Sequence, residues 1–168
     1  MDRKLFIKTG ITASLGLSAL PIFTNARWQT DPEPLKTATV KEFVVAGHKD
    51  LNKVKEMLTD HPNLIYSRYD WGNGDFEEAI EGAGHLGNKE IARYLIAQGA
   101  RVNLMVLTML GKTDLVKPVL EEYPELLFSK GAHGFTLLHH AKVGGEEAKE
   151  LYAYLTERGL TKTNIKIR

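Results

Sequence analysis

The chain has 168 residues, 43% of them hydrophobic and 26% charged, with a formal net charge of +1. This length suits one domain with its own core, and the balanced charge offers no basic excess for binding nucleic acid. The absence of cysteine excludes a disulfide, a thiolate nucleophile and a cysteine-ligated zinc site.

Residues 1–26 have the pattern of an export signal. A basic head is followed by the uncharged stretch Thr9–Phe23, which is long enough for a signal but short for a membrane span. Thr24-Asn25-Ala26 then places small residues as at a cleavage site. Residues 3–8 (RKLFIK) resemble the twin-arginine export motif, with Lys in place of the second Arg. We therefore expect a periplasmic or secreted protein, with a retained membrane anchor as the alternative.

Residues 27–37 are predicted to form a linker, because Pro32 and Pro34 within four residues cannot continue a helix. Residues 161–168 form a short basic tail that we expect to be a solvated end. The main domain is therefore predicted to span residues 38–160.

Glycines mark four corners in this domain, at Gly47, Gly87, Gly111 and the Gly144-Gly145 pair. Apolar residues recur seven positions before and four positions after these glycines. This pattern predicts four units, each with an apolar helix, a glycine corner and a second helix. The second helices carry the stripes Leu51/Val54/Leu58, Ile91/Tyr94/Leu95, Leu115/Val119/Leu120 and Ala148/Leu151/Tyr152/Leu155. Such stripes need a neighbouring unit to bury them, and no alternating apolar run predicts a sheet.

Local signals indicate where the helices begin and end. Asp50 and Thr113 are expected to be N-caps of second helices, and the stretch Asp75–Glu78 resembles the capping-box start of a first helix. Gly99 and Gly159 follow helical stripes, where a left-handed C-cap favours glycine.

Two stretches resemble ankyrin repeats. Residues 87–103 (GNKEIARYLIAQGARVN) resemble the family pattern G-x-x-E-I-x-x-x-L-L…G-A-x-V-N. Thr136–Ala141 resembles T-P-L-H-x-A, with Leu137 in place of Pro. The resemblance implies an all-α fold, an ankyrin-like α-solenoid of about four irregular helix-turn-helix repeats. It also implies that Thr136 caps its helix, that His139 hydrogen-bonds neighbouring backbone, and that the protein recognises another protein rather than catalysing a reaction.

The long loop between the first two units contains the most unusual stretch, residues 68–75 (RYDWGNGD). Its glycines permit turn conformations, and arginine with aromatic residues is typical of interface hot spots. The alternative is that Trp71 folds back over a helix end while Asp75 only caps. The residues that we expect to contact a partner are Arg68, Tyr69, Trp71, Asp75, Glu78, His85 and His140.

Histidines and carboxylates leave two other functions open. Three imidazoles, those of His85, His133 and His140, could hold zinc, but no close sequence spacing supports such a site. We therefore predict no metal and no cofactor. Helix capping and the helix dipole explain the acidic residues, which are Asp75, Glu77, Glu78 and Glu81. The alternative is a small metal- or acid/base-dependent enzyme that uses Asp75/Glu78 and His85/His140.

The sequence thus favours an exported, monomeric protein–protein interaction module without catalytic activity of its own. Its partner is expected to be another protein, with no nucleic acid and no membrane contact after signal removal. A structural role in a periplasmic complex is the remaining alternative.

Overall fold

Helices make up most of residues 33–167, the part of the chain that this computed structural model describes. The predicted signal and the first part of the predicted linker, residues 27–32, lie outside the described residues. Within them, eight α-helices follow one another as four pairs: α1 (Thr37–Lys49) with α2 (Leu51–Asp60), α3 (Ala79–His85) with α4 (Lys89–Ala97), α5 (Leu104–Met109) with α6 (Thr113–Glu122), and α7 (Leu137–Gly144) with α8 (Lys149–Glu157). The prediction of a mainly helical fold is confirmed. No helix in this part of the chain is both long and apolar enough to span a bilayer.

The first helices of the pairs pack on one another in chain order. Helix α1 contacts α3, α3 contacts α5, and α5 contacts α7, while each second helix packs on the first helix of its own pair. One apolar cluster lies mainly within the first two pairs and a second within the last two. Most of the predicted stripes are buried in these clusters, but Leu115 and Tyr152 are 54% and 40% exposed because they lie on the outer side of their helices.

Small residues allow α1 and α3 to approach closely. A Cβ atom at Gly47 of α1 would lie 2.4 Å from the carbonyl oxygen of Ala79 in α3. A Cβ atom at Gly82 would lie 2.7 Å from Nδ1 of His48. The glycines therefore let the His48 ring rest directly against α3, and this contact brings it near His85 at the end of that helix.

A β-hairpin occupies part of the stretch that we expected to be a loop and a helix start. Strands β1 (Arg68–Asp70) and β2 (Phe76–Glu78) pair antiparallel, with Arg68 opposite Glu78. The turn between them has positive φ at residues 72–74, which the Gly-Asn-Gly sequence tolerates. The expected helix start at Asp75 is wrong because pairing with β1 keeps residues 76–78 extended. The capping box forms three residues later, between Glu78 and Glu81.

The other helix ends follow their local chemistry. The side chain of Asp50 accepts a hydrogen bond from the Lys53 amide at 2.9 Å, as expected of an N-cap. Thr113 is not an N-cap, because helix α6 begins at Thr113 itself and Lys112 precedes it. Gly99 and Gly159 both have positive φ just beyond a helix end, which confirms their predicted role.

Four short 3₁₀ segments complete the described chain: Pro62–Tyr66, Pro124–Phe128, Ala132–Gly134 and Gly145–Ala148. The C-terminal tail is held against the turn before α7. The amide of Ile165 donates to the Gly134 carbonyl at 2.8 Å, and the Thr136 hydroxyl donates to the Lys162 carbonyl at 2.6 Å. The backbone of this part of the tail is therefore docked on that turn, while Lys162 and Lys166 are exposed to solvent, as expected of the basic end.

Candidate metal centre

Four side chains from separate segments converge beside the hairpin. His48 lies in the last turn of α1, Glu77 in β2, His85 at the end of α3, and His133 in the 3₁₀ turn before α7. Each offers one ligand atom, and these atoms all lie within 4.8 Å of one another. We call this group the His/Glu cluster.

The distances in the His/Glu cluster approach those of a metal coordination shell. Nε2 of His85 lies 2.8 Å from Oε1 of Glu77, and Nε2 of His48 lies 3.4 Å from the same oxygen. The Nε2 atoms of His48 and His85 are 3.2 Å apart. Nε2 of His133 lies 3.4 Å from Oε2 of Glu77. Ligands about 2.0–2.1 Å from a tetrahedral Zn²⁺ lie about 3.4 Å from each other. The ligand atoms of the cluster are up to 4.8 Å apart, so the wider pairs would have to move inward to complete such a shell.

Hydrogen bonds on the outer side of two rings fix the orientation of their Nε2 atoms. Nδ1 of His48 lies 2.9 Å from the Val44 carbonyl, which can only accept, so this Nδ1 carries a proton. Nδ1 of His133 lies 2.8 Å from Oδ2 of Asp75 and likewise donates. In the neutral rings, the Nε2 lone pairs therefore point into the cluster, which is the usual arrangement around metal-bound histidines.

Asp75 also controls the backbone at His133. Its Oδ1 accepts a hydrogen bond from the His133 amide at 2.8 Å, while its Oδ2 binds the ring. His133 has φ +58°, a left-handed conformation that few residues other than glycine adopt. Such conformations persist where surrounding contacts enforce them, and they concentrate at functional sites. The carboxylate thus aims the imidazole at Glu77.

Glu77 is the buried centre of the cluster, with no exposed surface. Its Oε2 accepts a hydrogen bond from Trp71 Nε1 at 2.8 Å. Burial acts to raise the pKa of Glu77, but hydrogen bonds and charge from His48 and His85 outweigh it and lower the pKa to about 2. The hydrogen bond that His48 donates to Glu77 in turn raises the pKa of His48, against a smaller opposing effect of burial. The carboxylate is therefore ionised at neutral pH.

Acceptors outnumber donors inside the cluster. The ionised Glu77 and the Nε2 lone pair of His48 both face Nε2 of His85, which can donate at most one hydrogen. Nε2 of His133 adds another acceptor. Acceptors that face one another at a buried carboxylate are unfavourable unless a proton or a cation lies between them. Either extra protons on the imidazoles or a metal ion satisfies this arrangement.

Helix α7 and the residues just before it pack against His85, a member of the cluster. The His85 ring stacks on Phe135 with centroids 5.0 Å apart, and Phe135 stacks on His139 at 4.1 Å. Nε2 of His139 donates to the His85 carbonyl at 2.8 Å, and the Thr136 hydroxyl accepts from the His139 amide. The structural roles predicted for His139 and Thr136 are confirmed.

The seven predicted contact residues do not form one exposed patch. Arg68 is exposed, and Tyr69, Trp71 and Asp75 are half-buried. The other three are buried: Glu78, His85 and His140.

His140 is not available to a partner, so its prediction as a contact residue is wrong. It is 2% exposed, and its Nδ1 donates to the Thr136 carbonyl at 2.8 Å. Its position on the core side of α7 keeps it out of the His/Glu cluster and rules out the zinc triad of His85, His133 and His140 in this conformation.

Asp75 and Glu78, the acids of the alternative enzyme, bind different partners. Asp75 binds His133, whereas Glu78 lies 3.5 Å from Arg68 and near Glu81. Burial, with the charge of Glu81, raises the pKa of Glu78. The two acids therefore do not act on one shared atom.

Two members of the cluster, His48 and Glu77, were not predicted as ligands from the sequence. A signal for His48 was present, because it lies one residue after the corner glycine Gly47, while His85 lies two residues before the next corner glycine, Gly87. Stacked first helices place such positions side by side. Glu77 gave no comparable signal, because its direction depends on the strand register of the hairpin.

No known family model matches the chain, and no curated protein does.

Proposed function

We propose that the protein binds one divalent transition metal ion of the zinc type through His48, Glu77, His85 and His133. The observation that supports this most is the convergence of three imidazole Nε2 atoms on a buried, ionised carboxylate. Three nitrogen donors and one oxygen donor suit Zn²⁺, whereas Mg²⁺ and Ca²⁺ prefer oxygen ligands alone.

The number of donors favours a structural metal site over a catalytic one. Four protein ligands complete a tetrahedral shell, while catalytic zinc sites usually keep one position for water. The Asp75–His133 hydrogen bond and the Val44–His48 hydrogen bond would serve as the outer shell that fixes ring orientation.

Zinc binding can be measured by calorimetry on the full chain, purified without a histidine tag. We expect one ion per chain. His133→Asn should bind zinc at least about tenfold more weakly, because asparagine tolerates the left-handed backbone but removes the imidazole. Glu77→Gln should weaken binding similarly, because it removes the buried negative charge.

His61→Asn is the matched control, since His61 is exposed at the end of α2 and belongs to no cluster that the described residues form. It should bind zinc like the wild type. Equal affinity of His133→Asn and His61→Asn, or no zinc bound by the wild type, would contradict the proposal.

We also propose that the scaffold is an ankyrin-like α-solenoid of four irregular repeats. Support comes from the chain-order packing of the first helices and from the hairpin that connects the first two pairs in the chain. Export and recognition of a protein partner also remain proposals from the sequence. Of the predicted contact residues, four have surface that a partner could reach: Arg68, Tyr69, Trp71 and Asp75.

A further inference from the structure

An apolar pocket adjoins the His/Glu cluster on the side of α1. Its volume is about 260 Å³, and its lining consists of Val45, His48, Lys49, Trp71 and Leu86. Val45 and Leu86 are 47% and 53% exposed, which is high for large apolar side chains. Apolar side chains grouped around a concave surface with a few polar groups are typical of small-molecule sites.

Two walls of the pocket are rigid. The Trp71 indole is fixed by its hydrogen bond to Glu77 and by an edge-to-face contact with Tyr69, with ring centroids 4.8 Å apart. The His48 ring is fixed by the Val44 carbonyl. A pocket whose walls are already in place loses little conformational freedom when a ligand binds.

The rim of the pocket is positively charged. Lys49 lines it, and Nζ of Lys41 lies 5.6 Å from the Trp71 ring centroid. The neighbouring Glu42 pairs instead with Lys53 at 3.2 Å. Among residues 33–167, neither Lys41 nor Lys49 forms an ion pair with a carboxylate. Lys41 lies over the Tyr69 and Trp71 rings and does not line the pocket, so the charge that can face a ligand is that of Lys49. Charge complementarity therefore favours an anion.

We propose that this pocket binds a small organic carboxylate with an aromatic or branched aliphatic body. The body would lie between Trp71, Val45 and Leu86, and the carboxylate would face Lys49. The volume is slightly below the usual range of about 300–1,000 Å³ for small-molecule sites, which limits the ligand to one ring or a short chain. This proposal goes beyond metal binding and does not require it.

The test is a calorimetric titration of the full chain with phenylacetate, acetate and benzylamine, each with zinc and with a chelator. We expect saturable binding of phenylacetate. Acetate lacks the apolar body and benzylamine carries the opposite charge, so both should bind at least about tenfold more weakly.

Variants locate the binding. Val45→Ala combined with Leu86→Ala should weaken phenylacetate binding about tenfold, because apolar contact area is lost. Lys49→Gln should weaken it several-fold and reduce its dependence on salt. Leu115→Ala is the control, because Leu115 is equally exposed but lies on α6.

No saturable binding of phenylacetate, equal binding of benzylamine, or unchanged binding by the Val45/Leu86 variant would overturn the proposal. Zinc content, measured on the same samples, reports on the His/Glu cluster separately. A chain that holds zinc and ignores phenylacetate would therefore reject the pocket proposal alone.

Discussion

The position of the His133 side chain depends on a left-handed backbone conformation, which is uncommon outside glycine. A left-handed φ costs a non-glycine residue about 1–2 kcal/mol, and Asp75 offsets this cost with two hydrogen bonds. Because the strain, the aspartate and the convergence on Glu77 coincide at one residue, His133 adds to the support for a functional cluster.

The buried His140 makes the fold sensitive to acid. Burial lowers the pKa of His140 to about 4, from about 6.5 in the unfolded chain. Above pH 6.5 both states hold the ring neutral. As the pH falls towards 4, the unfolded chain binds the proton first, so stability is lost, by about 3 kcal/mol in total.

Urea unfolding between pH 7.5 and 4.5, with a chelator present, measures this loss. His140→Asn keeps a donor for the Thr136 carbonyl but does not titrate, so its stability should fall less than that of the wild type below pH 6.5. Parallel curves for the two proteins would show that His140 does not carry the effect.

At the scale of the helices, the contact between α1 and α3 sets the position of His48. Gly47→Ala should destabilise the fold by about 1–3 kcal/mol, because the added Cβ meets the backbone of Ala79 and forces the two helices apart. Zinc affinity should fall as well, since the spacing of His48 and His85 depends on this contact. Chemical unfolding and calorimetry measure the two effects.

Gly159→Ala is the control for a glycine substitution. Gly159 has φ +90° but has no atom within 4 Å of an added Cβ, so only backbone strain of about 1–2 kcal/mol is expected. Zinc affinity should not change. If Gly47→Ala bound zinc as tightly as the wild type, helix spacing would not determine the geometry of the cluster.

Local chemistry in the sequence predicted most helix positions but not the hairpin. The corner glycines and the apolar stripes are short-range signals, and Asp50, Gly99 and Gly159 act as expected. The hairpin residues 76–78 read equally well as the start of a helix, because acidic residues suit both a cap and a short strand. Only pairing with Arg68–Asp70 decides between the two, and this pairing joins residues too far apart for a local helix signal to report it.

At the scale of the whole molecule, the His/Glu cluster joins segments that are far apart in the chain. Its members are spread from residue 48 to residue 133, so their spacing in the sequence forms no metal-binding motif. Of the three histidines considered as zinc ligands from the sequence, only His85 and His133 belong to the cluster. Helix stacking and strand register determine which side chains meet. The prediction that no metal site forms was therefore based on local spacing, which does not report on such a cluster.

Metal bound at this cluster should stabilise the entire fold. Zinc at about 100 times its dissociation constant would add about 2.7 kcal/mol, because the unfolded chain lacks the assembled site. This corresponds to a rise of about 5–10 °C in Tm for a chain of this size. Differential scanning calorimetry with zinc and with a chelator measures the difference.

Glu77→Gln serves as the comparison in this experiment. The variant should show little change in Tm between zinc and chelator, since it lacks the central carboxylate. An equal rise in the variant would mean that zinc stabilises the protein at another place.

The two hydrogen bonds that His133 donates to Asp75 have a consequence for moving this centre to another protein. The residue that orients the His133 ring is Asp75, which lies in the hairpin 58 positions earlier in the chain and not in the turn that carries the ring. Grafting the turn alone onto a different repeat scaffold would transfer the histidine without the aspartate that orients its ring. A designer would have to transfer both segments and preserve their positions relative to each other in space.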